Sequence, residues 1–359
     1  MKKVINSPLL LFIPLLIIMI ISFMDMQNAK LLSDLYEKNL LKQLIWYIVG
    51  FGTILIIKKI NIQTILKYSK YFYWLSIILL VLVLFFGKET NGARAWFNFG
   101  IFSFQPSELT KLTLILYLSD IASRNKPDFR LILKVSILTI IPSILVFLEP
   151  DTGAIIFYFL SAITILYFAP IKKYWFLILL GIIILLGGTF IILYIYNRDL
   201  LIKLIGTSFF YRIERLITFQ TESSYQLENA LIVMGSASFF GTGLNKISLY
   251  IPEAPTDFIF AFTIGNFGIF TGFLILLCYL LIDIFLINQY LKQRNKKIKL
   301  VLISFISIFF FQQIINIGMN LGLLPIIGIP LPFLSYGGTT IIIYFLFLGI
   351  ILNLLSKSY

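Results

Sequence analysis

Residues 258–287 read FIFAFTIGNFGIFTGFLILLCYLLIDIFLI, with Asp283 the single charged side chain in the run. A helix crosses the hydrocarbon core of a bilayer in about 20 mostly apolar residues. Inside lipid each backbone N–H and C=O must be bonded within the spanning structure, which leaves the helix as the form such a run takes. Working outward with the same criterion gives nine further spans, at 8–26, 40–58, 71–87, 106–123, 131–149, 152–169, 174–196, 300–321 and 333–355. The reading is an all-α polytopic membrane protein, one transmembrane domain over 1–359, with both termini on the same side.

Composition agrees. Apolar residues make up 59% of the 359 and charged residues 13%, with a mean hydropathy of +0.97. A soluble domain is nearer half apolar and a quarter charged. Two lysines precede the first span and no small-residue cleavage site follows it, so it reads as an uncleaved anchor. The lone Cys278 excludes an intrachain disulfide framework and a cysteine-rich metal site. The absence of histidine excludes a Ser-His triad and histidine-ligated metals.

The net charge of +13 orients the spans rather than marking a nucleic-acid binder. With both termini cytoplasmic, the inner segments hold 18 of the 29 basic residues against the acids Asp120, Asp128 and Asp283. That is the positive-inside pattern. The Lys/Arg run over 292–299 becomes a short inner loop. The connection 197–256, about 60 residues long, falls outside. It carries Tyr211, Tyr225, Phe239 and Phe240 and reads as short helices lying at the interface.

Ionisable groups at membrane depth are expensive and point to function. On the outer side they gather in four places. The first is Asn91-Gly92-Ala93-Arg94-Ala95-Trp96 followed by Phe104-Gln105-Pro106-Ser107-Glu108-Leu109-Thr110-Lys111. Pro106 suits a first helical turn, and Glu108 and Lys111 at i,i+3 can pair on one face. A helix start with a local ion pair explains that spacing, and so does a polar cavity lined by Arg94, Gln105, Glu108 and Lys111. A guanidinium such as that of Arg94 suits phosphate oxygens. The second is Glu149-Pro150-Asp151-Thr152-Gly153, where a tight turn with Asp151 as helix cap suffices. The third runs from Tyr225 through Gly241-Thr242-Gly243-Leu244 to Pro252-Glu253-Ala254-Pro255-Thr256-Asp257-Phe258. Asp257 either caps the next helix or stands as a partly desolvated carboxylate of raised pKa, suited to general-base work. The fourth is Pro325 to Gly338, including Ser335 and Tyr336. Its prolines and glycine pair mark a broken or re-entrant segment lining a cavity, or a plain turn.

Taken together, these motifs resemble the RodA/FtsW family over nearly the whole chain. The resemblance rests on Gly92-Ala93-Arg94-Ala95-Trp96, Phe104 to Lys111, Pro150-Asp151-Thr152-Gly153, Gly241-Thr242-Gly243-Leu244, Pro252 to Phe260, Asn316-Ile317-Gly318-Met319 and Pro330 to Gly338. The wording around Phe102-Ser103-Phe104-Gln105 leans to RodA over FtsW. The resemblance implies ten spans and a peptidoglycan glycosyltransferase in the bacterial cytoplasmic membrane. That enzyme polymerises lipid II at the outer face beside a class B penicillin-binding protein. It places the essential aspartate at Asp257 and a Glu–Lys pair at Glu108 and Lys111.

On that reading Asp257 takes the proton of the acceptor hydroxyl, worth roughly 10²–10⁴-fold in rate. Arg94 or a divalent cation, Mg or Mn, would face the lipid diphosphate leaving group. No organic cofactor is expected. Gly265-Asn266 stand where the family usually has two acids, which puts a metal or cavity role of those acids in doubt here. Two other functions explain ten spans and a charged cavity: a lipid II flippase, and a non-catalytic scaffold for a penicillin-binding protein. A flippase needs polar groups along a path to the inner face, and Asp120 and Asp283 are the few candidates.

Overall fold

The computed structural model describes residues 8–90, 93–100, 102–172, 174–207, 210, 214, 225–246 and 249–356. Their long helices are α1 (Leu9–Ala29), α2 (Asn39–Lys59), α4 (Ser69–Phe86), α5 (Pro106–Arg124), α6 (Phe129–Leu148), α7 (Thr152–Phe168), α8 (Tyr174–Tyr196), α11 (Ile259–Lys292), α12 (Lys296–Asn320) and α13 (Gly338–Ser356). Short helices α3 (Ile62–Lys67), α9 (Arg198–Ile205) and α10 (Tyr225–Ser236) lie between them. The ten expected spans each coincide with one of the ten long helices. The long connection 197–256 holds α9 and α10; Tyr211 and residues 215–224 lie outside the described residues.

By length and hydropathy α1, α4, α6, α11, α12 and the stretch Asp34–Lys59 are each able to cross a membrane. Their outward faces are apolar: Leu41, Ile48 and Leu55 on α2, and Tyr71, Leu75, Ile78 and Phe85 on α4 are exposed. Water would not tolerate such faces, and lipid does. α5 is different. It carries Glu108, Lys111, Asp120 and Arg124, and most of its length is buried. Its Leu112, Ile115 and Leu116 join a core built mainly from α1, α2, α11, α12 and α13. Its Leu114, Leu118 and Ile121 join a second core built with α4, α6 and α7. The charged helix is thus the wall between two apolar bodies, and the bundle shields its ionisable groups from lipid.

Two features go beyond simple spans. Between α4 and α5 the chain forms a small antiparallel sheet of β1 (Lys88–Thr90), β2 (Ala93–Asn98) and β3 (Ser103–Phe104), in the order β1-β2-β3. A purely helical reading does not contain it. Inside α11, Gly268 leaves the helix at φ 83°. A Cβ there would meet the backbone O of Phe239 at 2.1 Å, so only glycine fits. The backbone groups freed by the break are taken up by the loop 238–243. Thr242 N–H donates to Gly265 O at 3.2 Å, Gly243 N–H to Asn266 O at 2.7 Å, and Ile269 N–H to Ser238 O at 3.2 Å.

The segment before α13 is irregular and buried, as the proline and glycine pattern suggests. Ile329, Leu331, Phe333 and Leu334 are almost wholly enclosed. Every carbonyl from 329 to 335 has a donor. Asn316 Nδ2 serves Ile329 (2.7 Å), Gln312 Nε2 serves Pro330 (3.4 Å), Tyr279 OH serves Pro332 (2.6 Å) and Tyr47 OH serves Phe333. Ser22 Oγ serves Leu334 (2.7 Å), Gln43 Nε2 serves Ser335 (3.3 Å), and the Ser335 N–H closes on Leu331 (3.0 Å). Side chains from α1, α2, α11 and α12 thus provide what the missing helix would have provided.

Candidate active site

The starts of α5, α7, α11 and α13 and the segment 327–330 meet at one end of the bundle. They enclose a cavity of about 430 Å³. Its charged lining is Glu108, Lys111, Asp151, Glu253 and Asp257. Gln105, Gln312, Trp96 and Tyr336 complete the polar and aromatic wall.

Asp257 stands just before α11. The cap position belongs to Phe258, which makes no side-chain cap, so the Asp257 carboxylate is not spent on the helix start. Its backbone is held on both sides. Its N–H donates to Glu253 O at 3.1 Å, and its carbonyl accepts from Asn316 Nδ2 at 2.9 Å and Asn320 Nδ2 at 3.0 Å. The carboxylate itself makes no hydrogen bond to another described residue. Burial pushes its pKa up to about 7 from 3.8, with the negative charges of Glu253 and then Asp151 adding to the rise. A carboxylate so placed gains and loses its proton near neutral pH, as a general base requires.

Glu108 and Lys111 pair at 2.6 Å, and both are buried. The ammonium also sits 5.2 Å from the ring centre of Phe157. Glu108 Oε2 and Gln312 Oε1 have no hydrogen-bond partner, although both are buried in the wall. Buried acceptors without donors are costly, so these two oxygens are poised for a ligand that brings O–H or N–H groups. Asp151 does two things. Its Oδ1 caps α7 by accepting from Ala154 N–H at 3.2 Å. Its Oδ2 accepts from Gln105 Nε2 at 2.9 Å and Ser107 Oγ at 3.1 Å. The capping role foreseen for Asp151 is present, and the cavity role beside it is additional.

Two expected site residues are placed elsewhere. Arg94 does not line the cavity. It lies on β2 where the pairing with β1 breaks register, Lys88 opposing Trp96 and Thr90 opposing Ala93, and its side chain is left on the exposed side. Its half-exposed guanidinium pairs with Glu89 at 3.7 Å. Ser335 is buried rather than exposed to the cavity. Its Oγ donates to Thr256 O at 2.6 Å and accepts from Leu331 N–H at 2.8 Å, which makes it a brace. Gln105, Glu108, Lys111, Tyr336 and Asp257 all line the one cavity. Asn91 and Gly92 lie outside the described residues. Gly265 and Asn266 do not reach the cavity; Asn266 Nδ2 donates to Asp25 of α1 at 3.4 Å. Sequence reasoning quoted Glu253 and Trp96 within the motifs without giving either a role, and passed over Gln312. A signal for Gln312 was present: Gln312, Asn316 and Asn320 recur at four-residue spacing in the mostly apolar second half of α12.

Fold and site together define a multi-pass helical membrane protein with an acidic cavity built where several helices begin. The family model described as "Cell cycle protein" (FtsW/RodA/SpoVE) matches residues 3–359. The chain belongs to that family. It is 32% identical over 336 residues to the probable peptidoglycan glycosyltransferase FtsW of Coxiella burnetii, covering 89% of this chain and 86% of that one. To the peptidoglycan glycosyltransferase MrdB of Helicobacter pylori it is 28% identical over 367 residues, covering 98% and 90%. Its fold matches that of the Rod shape determining protein RodA of Thermus thermophilus, with a TM-score of 0.71 at 24% identity over 99% of this chain and 98% of that one. It also matches a chain from a peptidoglycan synthase complex described as coordinating polymerization and crosslinking. There the TM-score is 0.79 at 23% identity, over 96% and 97% of the two chains.

Proposed function

We propose that this protein is a peptidoglycan glycosyltransferase that polymerises lipid II, with Asp257 as general base. The observation that carries the assignment is the open carboxylate of Asp257. It is held by its backbone, lacks a hydrogen-bond partner among the described residues, and faces a cavity rich in acceptors. A sugar hydroxyl is a poor nucleophile until its proton is taken. Asp257 accepts that proton as the hydroxyl oxygen bonds to the anomeric carbon of the donor. The bond from that carbon to phosphate breaks, and its electron pair leaves with the lipid diphosphate. Glu108 Oε2, Gln312 Oε1 and the Asp151 carboxylate accept from sugar hydroxyl and amide groups and hold the ring in place. Lys111 holds Glu108 in position through their ion pair.

Among the described residues no group of three or more Asp, Glu or Cys side chains converges as a metal site. The described side chains therefore do not build a closed cage, and no step above passes through a metal.

The charge distribution supports a cytoplasmic membrane location with both termini inside and the cavity outside, where a lipid-borne precursor is polymerised. The likeness to a chain of a synthase complex supports a class B penicillin-binding protein as partner. The polar groups nearer the other membrane face are engaged in packing. Asp120 is paired with Arg124 at 2.9 Å and with Lys297, and Asp283 accepts from Gln313 at 3.3 Å. This favours a synthase over a flippase. Purified protein with its partner should convert lipid II to glycan polymer, and Asp257→Ala should abolish this while the protein stays folded. Lipid II transfer across vesicles without polymer would overturn the assignment.

A further inference from the structure

A second cavity, about 290 Å³, opens beside the first. The two share Trp96, Ser103, Thr256, Tyr336, Gly337 and Gly338, so they are neighbouring chambers on either side of one wall. Their charges are opposed. The first chamber has four acids and one lysine, and that lysine is taken by Glu108. The second has one charged lining residue, Lys42, four positions into α2. Lys42 is partly buried, and its ammonium forms no ion pair or side-chain hydrogen bond with another described residue.

A ligand carrying both a hydroxyl-rich sugar and a diphosphate cannot place both parts in the acidic chamber, because like charges in a confined site repel strongly. Arg94, the other cation considered for an anion, is turned away and paired with Glu89. Among the described residues, Lys42 is the cation without an ion pair beside the reaction centre, one wall away from Asp257. The chamber also has an apolar side. Trp46 stands against Gly338, where a Cβ would come within 2.5 Å of its ring, and packs edge-on to Phe102 at 6.0 Å. Phe102 is itself exposed, which leaves an apolar way out for a hydrocarbon tail.

We infer that the Lys42 chamber is the diphosphate subsite: Lys42 holds the diphosphate of the lipid-linked donor while its sugar reaches the shared wall towards Asp257. This rests on the glycosyltransferase reading and assigns it a second residue. As the bond from the anomeric carbon to phosphate breaks, the electron pair stays on the phosphate oxygen beside the ammonium of Lys42. The proton of the acceptor hydroxyl goes to Asp257, so donor and acceptor charges develop in separate chambers.

The test measures binding, which needs no turnover. Full-length protein in detergent is titrated with undecaprenyl diphosphate, undecaprenol and inorganic pyrophosphate. Wild type should bind the lipid diphosphate at least about tenfold tighter than undecaprenol, as a charge-assisted contact to phosphate implies. Lys42→Gln should remove most of that preference, Lys42→Arg should keep it, and Asp257→Asn should leave it intact. Pyrophosphate binding that also needs Lys42 would show that the headgroup alone is read. Binding confined to the lipid form would show that the tail contributes as well, and either result supports the subsite. Equal binding of undecaprenol and its diphosphate to wild type would overturn it, and that comparison requires no variant. So would unchanged diphosphate binding by a folded Lys42→Gln protein. A chain that makes no glycan yet loses diphosphate binding in Lys42→Gln would sink the assigned reaction and leave the subsite standing.

Discussion

The acid limb of the pH–rate profile is the sharpest consequence of the site. With Asp257 pushed up to about 7, chiefly by burial, about a tenth of the carboxylates are ionised at pH 6 and about nine-tenths at pH 8. If the ionised form takes the acceptor proton, the polymerisation rate under limiting substrate should rise about tenfold per pH unit below 7 and level off above it. Glu253 is the largest charge contribution to the shift after burial. Glu253→Gln removes that charge while keeping an oxygen for the Thr256 hydroxyl, which now donates to Glu253 Oε2 at 3.0 Å. The limb should therefore move to lower pH in Glu253→Gln, yet stay above pH 4, because burial remains. Initial rates of glycan formation from labelled lipid II between pH 5 and 9 measure both. A flat profile from pH 5 to 8 in an enzyme that needs Asp257 would refute the general-base argument. The same shift has a stability sign. The folded protein keeps a proton that the unfolded chain has lost between about pH 4 and 7. The contribution of Asp257 to folding is therefore most favourable below pH 4 and declines as pH rises to 7.

Two further outcomes concern the scaffold. Lys111→Met strands the buried carboxylate of Glu108 and should cost about 3–5 kcal/mol, whereas pairing it with Glu108→Gln should recover part of the loss. Thermal unfolding in detergent reads this, and a double variant less stable than both singles would contradict the pairing argument. Gly268→Ala forces a Cβ into the backbone of Phe239 and should lower the unfolding temperature sharply. Gly52→Ala, which meets nothing within 4 Å, is the control and should not. Equal effects of the two would show that the α11 break is not packed as described.

The spans were legible because a hydrocarbon core imposes one length and one composition on whatever crosses it. Positions within irregular segments were less legible, for a physical reason in each case. The apolar run over 333–337 counts as membrane-spanning by hydropathy, yet α13 begins only at Gly338. Hydropathy does not register that the preceding carbonyls are claimed by side chains from four helices. Arg94 was assigned to the cavity because its neighbours belong there, and Ala93 and Trp96 do line it. Arg94 lies between two pairings that differ in register, Lys88 with Trp96 and Thr90 with Ala93, and that irregularity, which sets the direction of its side chain, comes from pairing and not from the local sequence. Lys42 offered no signal. It is one more lysine at a helix end until folding brings Trp46 and Gly338 around it. Asp257 and the Glu108–Lys111 pair could be found because charge so close to the membrane needs a reason.

The two requirements of the site, irregular backbone in a membrane and a fixed base, are met by the same bonds. Asn316 donates to Ile329 O and to Asp257 O, tying the re-entrant segment to the start of α11. Ser335 Oγ donates to Thr256 O, and Tyr336 N–H donates to Pro255 O at 2.7 Å. Residues 255–257 and 329–336 are therefore stitched together by the very groups that satisfy carbonyls lipid could not solvate. Asp257 cannot drift without breaking contacts that keep the segment in the bundle. A carboxylate left without a hydrogen bond would otherwise turn towards the nearest donor, so the stiffness of its backbone is what keeps it free for a proton brought by a substrate. The cost of placing non-helical chain among transmembrane helices thus contributes directly to positioning.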